Sequence, residues 1–219
     1  MLPARWYISF VPSLPDYLEP NFLLRAYAAG IFPMAGEDGR VSWYAPDPRA
    51  VLEHDHFRIS RSLRARIRSG LFTIRFDTAF DRVIRACAAP RVGEEGTWIS
   101  EEFIQVYTLL QRHGFAHSVE AWRDERLVGG LYGVSIGAAF MGESMFSRER
   151  DASKVCLAAL VERLQARGFH LHDVQFLTPH LARLGAREIR RVEYERRLAA
   201  AVAVPCTLKG DDEHQQATN

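Results

Sequence analysis

Asp173 and Gln175 stand two apart in the run Leu171-His172-Asp173-Val174-Gln175-Phe176. Alternate residues of a strand share a face, so this spacing is expected to bring a carboxylate and an amide to one ligand. An apolar sheet face does not readily tolerate such a pair, and a wet edge strand is the plainer reading. Glu143 lies between Gly142 and Ser144 at the end of another strand-like run. Its carboxylate, beside Met141 and Met145, is on its own terms expected to face solvent by alternation. Trp43, Tyr44, Trp98 and Tyr107 fall near glycine, proline or helix starts. An aromatic ring there can stack on a nucleobase, although most aromatics fill cores.

Between Phe57 and Phe76 the chain carries Arg58, Arg61, Arg64, Arg66, Arg68 and Arg75 without one Asp or Glu. Arg61, Arg64 and Arg68 follow three- and four-residue spacing, which predicts one face of a helix over roughly Ser60 to Ser69. A charge run is usually a solvated face, but the lack of any acid favours a patch for phosphates. His117, His170, His172 and His180 show no metal-binding arrangement. Cys87, Cys156 and Cys206 lack a short paired spacing, so neither a disulfide framework nor a zinc site is expected. A reduced, cytoplasmic setting follows from that cysteine usage.

The elements that must position these residues are legible in the periodicity. With 219 residues, 47% hydrophobic and 25% charged, the chain can form one sizeable domain, or a main domain with a small companion. The net charge of +1 says little about partners. The run Leu2 to Phe10 is broken by Arg5 and Ser9, so neither a membrane span nor a signal peptide is expected. Helices are predicted over Phe22 to Ala29, stopped by Gly30, and over Thr78 to Ala88 and Ser100 to His113. Three antiparallel strands follow, at Ser118 to Trp122, Leu127 to Val134 and Ala138 to Phe146. A long helix capped by Asp151 or Ser153 then leads into the strand holding Asp173. A short helix from Pro179, a strand from Ala186 to Ile189 and a helix near Val192 to Val202 end the pattern.

This order describes an α+β fold with one mixed sheet flanked by helices, and it resembles the N-acetyltransferase-like fold. The expected organisation is a small N-terminal α/β domain over 1–52, a catalytic domain over 53–208 and a polar tail over 209–219. An acyl-CoA-dependent enzyme is one reading of that order. Such an enzyme needs a glycine-bearing loop for the pyrophosphate before its central helix, and this chain has Arg148-Glu149-Arg150-Asp151-Ala152-Ser153 there.

Several segments occur in an order that resembles one family. They are Gly30-Ile31-Phe32-Pro33, Pro46-Asp47-Pro48-Arg49-Ala50, Thr97-Trp98-Ile99, His117-Ser118-Val119-Glu120 and Leu127-Val128-Gly129-Gly130-Leu131-Tyr132-Gly133. They continue with Gly142-Glu143-Ser144-Met145-Phe146-Ser147, Asp151-Ala152-Ser153-Lys154 and His180-Leu181-Ala182-Arg183-Leu184-Gly185-Ala186. Together they look like the signatures of the leucyl/phenylalanyl-tRNA–protein transferases. That resemblance implies an aminoacyltransferase moving Leu, also Phe or Met, from aminoacyl-tRNA to proteins with N-terminal Arg or Lys, for N-degron proteolysis. It implies an acetyltransferase-like fold used without coenzyme A, no cofactor and no metal, and a monomer is expected.

By position, the resemblance makes Asp173 and Gln175 the catalytic pair and Glu143 the acceptor-site acid. Leu131, Phe140, Met145, Leu157 and Leu160 become the aminoacyl pocket. Trp98 and Tyr107 would contact the terminal adenosine, and Arg61, Arg64 and Arg68 the tRNA phosphates. Asp173 would orient Gln175 and Gln175 would hold the amine, the proton passing to Gln175, a ribose hydroxyl or water. The chain departs from the family pattern at Met34 and Tyr44, each where Trp is expected, at Thr178, and in lacking a Gly-Gly-Asp-Leu segment before the first helix. Met34 thus falls on the expected adenosine-facing surface.

Overall fold

The computed structural model describes residues 17–36, 40–90 and 97–209. Pro12, Pro15, the middle of the polar turn between Gly36 and Arg40, and the tail beyond 209 lie outside the described residues. Helix α1 (Pro20–Ala28) begins where the Glu19 carboxylate accepts the amides of Asn21 and Phe22, with proline in the first turn. It ends as expected at Gly30, whose φ of 78° suits a residue without Cβ. Strands β1 (Phe32–Ala35) and β2 (Val41–Tyr44) then form a small antiparallel sheet of their own.

The remaining elements are β3 (Arg49–Leu52), α2 (Arg61–Arg68), β4 (Thr73–Phe76), α3 (Phe80–Ala88) and α4 (Glu101–Arg112). They continue with β5 (Ala116–Arg123), β6 (Arg126–Ile136), β7 (Ala139–Ser147), α5 (Ala152–Ala166) and β8 (Leu171–Gln175). The order closes with α6 (Pro179–Arg183), β9 (Ala186–Ile189) and α7 (Arg191–Val202). Seven strands make one mixed sheet in the order β4-β5-β6-β7-β8-β3-β9. Among the described residues only the β7–β8 pairing is parallel, and α5 provides the crossover that a parallel neighbour requires.

Two apolar clusters cover the sheet. One draws on α1, α3, α4 and α7, the other on α2 and α5. Residues 131 and 132 illustrate the pleat, Leu131 entering the second cluster and Tyr132 the first. Close packing explains the glycines of β6. A Cβ on Gly129 would stand 2.5 Å from that of Ala152, and one on Gly133 2.4 Å from the Met141 carbonyl oxygen. The first glycine lets α5 begin directly on the sheet, and the second accompanies the register shift between β6 and β7.

Strand β3 is the element that periodicity did not separate from its surroundings. The sequence places residues 49–52 at the end of a small domain, but β3 lies inside the main sheet, paired with β8 and β9. All its residues are buried, so there is no polar alternation to read, and Pro46 and Pro48 mask its start. Strand β4, inside the arginine-rich stretch, was hidden in the same way by charge.

The His117-Ser118-Val119-Glu120 segment proves to be a brace for the turn entering α3. Glu120 Oε1 accepts the Thr78 and Ala79 amides, each at 3.0 Å, and the Ser118 hydroxyl at 2.7 Å. The Thr78 hydroxyl also bonds the carboxylate. His117 joins Asp77 at 2.7 Å and Ser135 at 3.1 Å. That connectivity would suit nucleophilic catalysis, but His117 and Ser135 are buried, 1% and 6% exposed, so it ties β5 and β6 to the turn.

Candidate active site

The parallel ladder between β7 and β8 is short. It pairs Ala139 with Leu171, Phe140 with His172 and Met141 with Asp173, and extends no further. Two residues beyond the last pair come Glu143 on one strand and Gln175 on the other. Both line a cavity of about 520 Å3. Its apolar wall is built from Leu131 of β6, Phe140 and Met145 of β7, Leu157 and Leu160 of α5, Val174 of β8 and Leu181 of α6. Every residue expected in an aminoacyl pocket is therefore on this wall. Met34 and Trp98 also line the cavity, with Trp98 set edge-to-face on Phe103 at 5.4 Å.

The same-face expectation for Asp173 and Gln175 is not met. His172 and Val174 line the cavity, whereas Asp173 between them does not. Continued extended backbone would keep Gln175 with Asp173, but Gln175 adopts a φ of 54° and its side chain joins the lining. The Gln175 amide Nε2 donates to Glu143 Oε1 at 3.1 Å.

Asp173 is wholly buried, and its oxygens are committed elsewhere. Oδ1 accepts Arg49 Nε at 2.9 Å and the Gln175 backbone amide at 2.9 Å. Oδ2 accepts Arg49 Nη2 at 2.6 Å and the Tyr194 hydroxyl at 2.8 Å. Asp173 thus holds Gln175 through the main chain rather than through the amide group. Arg49 in turn lies between the rings of Phe32 and Tyr194, 4.7 and 4.6 Å from their centroids, and donates to the Gly30 carbonyl at 3.2 Å. Burial works against the Arg49 charge, but Asp173 outweighs it and keeps the pKa above its usual value.

Glu143 is the acid that faces the cavity. Tyr107 donates to Oε2 at 3.4 Å, and the Tyr107 hydroxyl also bonds that of Tyr27 from α1. Loss of solvent pushes the Glu143 carboxyl up to about 8, with Asp173 repelling in the same direction. The Tyr107 hydroxyl, with Tyr27 behind it, and the Arg49 charge pull against that rise.

Tyr107 itself is fully buried and stacked on Phe103. The sequence reading needs its ring at a surface to meet an adenosine; the structure puts it behind Glu143, where it serves as a hydrogen-bond donor. Trp43 is likewise core, packed edge-to-face on Phe22 at 5.1 Å. His172 lies against Phe140 and His54, and burial brings it down to about 3, so it lines the cavity as a neutral ring.

Arg61, Arg64 and Arg68 do share a face, together lining a shallow depression with Ile59, Ala65 and Ser69. Ser60 starts their helix by accepting the Leu63 amide at 3.2 Å, and the apolar side is anchored by buried Leu63. Among the described residues no group of three or more His, Cys, Asp or Glu could hold a metal ion. No described helix is long and apolar enough to cross a membrane.

Arg49, Tyr27 and Tyr194 were not singled out from the sequence. Only Arg49 carried a usable signal, since a charge opening the apolar strand Ala50-Val51-Leu52 must find a buried partner.

Residues 51–199 match the family described as leucyl/phenylalanyl-tRNA protein transferase, and residues 16–47 match the N-terminal domain of the same family. The leucyl/phenylalanyl-tRNA–protein transferase of Herpetosiphon aurantiacus is 54% identical over 192 residues, 87% of this chain and 98% of that protein. The protein of the same name from Gloeobacter violaceus is 54% identical over 193 residues, covering 88% and 98%. That of Rubrobacter xylanophilus is 55% identical over 186 residues, covering 84% and 95%. Among solved structures, L-PGS from Bacillus licheniformis aligns over 76% of this chain and 56% of that one at 14% identity, with a TM-score of 0.35, too low to bear on the fold. With both parts of the chain matched and relatives covered nearly end to end, the chain belongs to the leucyl/phenylalanyl-tRNA–protein transferase family.

Proposed function

We propose that the protein transfers Leu or Phe, and Met as a further donor, from aminoacyl-tRNA to the α-amino group of proteins that begin with Arg or Lys. The observation that carries this reading is an apolar cavity whose edge holds Glu143 and Gln175 in contact. Its volume of about 520 Å3 lies within the usual range for small-ligand sites. An aliphatic or aromatic side chain enters the wall formed by Leu131, Phe140, Met145, Leu157 and Leu160. The flexible Met145 side chain accommodates more than one apolar shape.

The aminoacyl ester is already activated. Catalysis then consists of holding the amine near the carbonyl, removing a proton and stabilising the oxyanion. Gln175 positions the amine, while Asp173, clamped by Arg49, fixes the backbone that presents Gln175. Trp98 and Met34 receive the terminal adenosine, and the Arg61, Arg64 and Arg68 face meets tRNA phosphates without reading sequence. Glu143, in its ionised form, draws a basic N-terminal residue, whose cation in turn favours that form. The product carries an apolar N-terminal residue that marks it for N-degron proteolysis. This activity belongs in the cytoplasm, where charged tRNA is available, and the protein acts in it as a monomer.

The test is incubation with labelled Leu-tRNA, Phe-tRNA or Met-tRNA and reporters beginning with Arg, Lys or Ala. Label is expected on the Arg and Lys reporters and not on Ala. Tight acetyl-CoA binding, or tRNA binding without transfer, would contradict the reading.

A further inference from the structure

Among the described residues lining the cavity, the groups that can exchange a proton are Glu143, His172, His180 and Tyr132. Burial holds His172 neutral down to about 3 and lowers His180 from its usual value, and among the described residues the hydrogen bond of the Gln175 amide runs to Glu143 and to neither histidine. Burial also pushes the Tyr132 hydroxyl well above its usual range. Gln175 is a neutral amide and binds a proton very weakly. Asp173 is out of reach, with its oxygens bonded to Arg49, Tyr194 and the Gln175 backbone amide. Glu143 has a carboxylate on the cavity side, and Gln175, the residue that positions the amine, is bonded to it.

From this arrangement we infer that Glu143 is the catalytic base of the transfer, taking a proton from the acceptor's α-ammonium while Gln175 holds the nitrogen beside it. The inference rests on the proposed function and adds which group carries the proton. The α-ammonium gives one proton to the Glu143 carboxylate, and the freed amine attacks the ester carbonyl. A carbon–nitrogen bond forms, and the bond to the ribose oxygen of tRNA breaks. A second proton from nitrogen ends on that leaving oxygen. The proton on Glu143 passes to water and restores the carboxylate. Efficient proton transfer needs comparable affinities, and loss of solvent raises the Glu143 carboxyl from the ordinary carboxylate range towards that of an α-amino group.

The groups that set the Glu143 titration come from every element around it. Tyr107 of α4 donates to the carboxylate and, with Tyr27 of α1 behind it and Arg49 of β3, favours the charged form. Asp173 of β8 disfavours it, Tyr132 of β6 feels its charge, and Gln175 donates to Oε1. The base must be a carboxylate, so transfer is expected to rise with pH through about 8. Removing the Tyr107 hydroxyl removes a pull towards lower pKa and moves that rise to higher pH.

The experiment measures single-turnover transfer from Leu-tRNA to an Arg-initiated peptide and to hydroxylamine, whose nitrogen is unprotonated at neutral pH. Glu143→Gln is expected to lower kcat for the peptide by about 10²–10⁴-fold. The enzyme-dependent part of hydroxylamine transfer, above the spontaneous reaction of the ester, is expected to fall much less than peptide transfer does. Glu143→Asp retains a rise with pH, and Tyr107→Phe shifts it upward. Equal losses with both nucleophiles, or a raised peptide KM with kcat unchanged, would overturn the assignment. Should Glu143→Gln fail to fold, a Tyr107→Phe profile superimposable on wild type would overturn it instead. Wild-type protein that transfers to no peptide refutes the proposed function, whereas active wild type with an equally active Glu143→Gln refutes this inference alone.

Discussion

The two sides of the cavity are built on opposite principles. Its wall is aliphatic and aromatic, held by packing in which Leu131, Phe140, Leu157 and Leu160 are each at most 3% exposed. Its edge is polar, and its carboxylates and amide are tied to partners: Gln175 on Glu143, Glu143 on Tyr107, Asp173 on Arg49, Tyr194 and the Gln175 amide. Dispersion and burial are non-directional, so a wall can accept another apolar side chain of similar volume at a cost under about 1.5 kcal/mol. A buried polar chain has no such freedom, because a lost partner leaves a charge or donor stranded away from water. On the proposed function, the wall sets which side chain is carried and the edge sets where the nitrogen stands.

The sharpest way to break this comparison is Arg49→Met. Asp173 would be left buried without its cation, at an expected cost of about 3–5 kcal/mol in denaturant unfolding, with transfer lost as Gln175 is released. Arg49→Met combined with Asp173→Asn is expected to be less destabilised than the sum of the singles. Strict additivity in that cycle would show that the edge is not the connected unit described.

Leu157→Ala comes next, at about 2–5 kcal/mol depending on how far the wall relaxes. It is expected to shift the Phe-to-Leu transfer ratio upward by about tenfold in competition between the two charged tRNAs. Leu157→Met, by contrast, is expected to change both stability and ratio little. A Met variant as damaged as the Ala variant would erase the distinction between wall and edge.

His172 gives a smaller, pH-dependent effect. Its value falls from the ordinary 6.5 to about 3 on burial, so between those values the unfolded chain binds the extra proton. Its contribution is therefore fully present above pH 6.5 and is lost as pH falls, at no more than about 1.4 kcal/mol per pH unit. Thermal melts of His172→Phe across that window are expected to be less sensitive to acid than wild type, and an unchanged slope would count against a neutral buried ring.

The smallest stability effect is expected on the exposed face of α2. Replacing Arg61, Arg64 and Arg68 together by Ala is expected to alter stability by no more than about 0.5 kcal/mol. It is expected to weaken tRNA binding and reduce the salt slope of log affinity by about 2 to 3, measured by filter binding. An unchanged slope would remove the phosphate-binding role.

What could be read in advance divides along the same line. The strands and helix that carry the wall, β6, β7, β8 and α5, fall where the residue pattern puts them, whereas the choice of wall residues came from the family resemblance. The arginine face of α2 was likewise visible in residue spacing. Partnering across the fold was not. Arg49 and Asp173 are 124 positions apart, and no local pattern announces that they meet. The left-handed backbone at Gln175 defeated the simple alternation argument, since extended geometry would have put both polar side chains on one face. Tyr107 and Trp43 show the limit for aromatics. Position near a helix or a proline cannot distinguish a stacking surface from core, and in both cases core prevailed.

The central claim is that the apolar wall and polar edge together receive one aminoacyl ester. It is tested most directly by a crystal structure with a hydrolysis-resistant 3′-leucylamido adenosine. The leucyl side chain is expected among Leu131, Phe140, Met145, Leu157 and Leu160, with the adenine beside Trp98 and Met34. The carbonyl and its nitrogen-facing side should lie within hydrogen-bonding reach of Gln175. A ligand seated elsewhere, or with its leucyl group outside the wall and its carbonyl turned away from Gln175 and Glu143, would contradict the account.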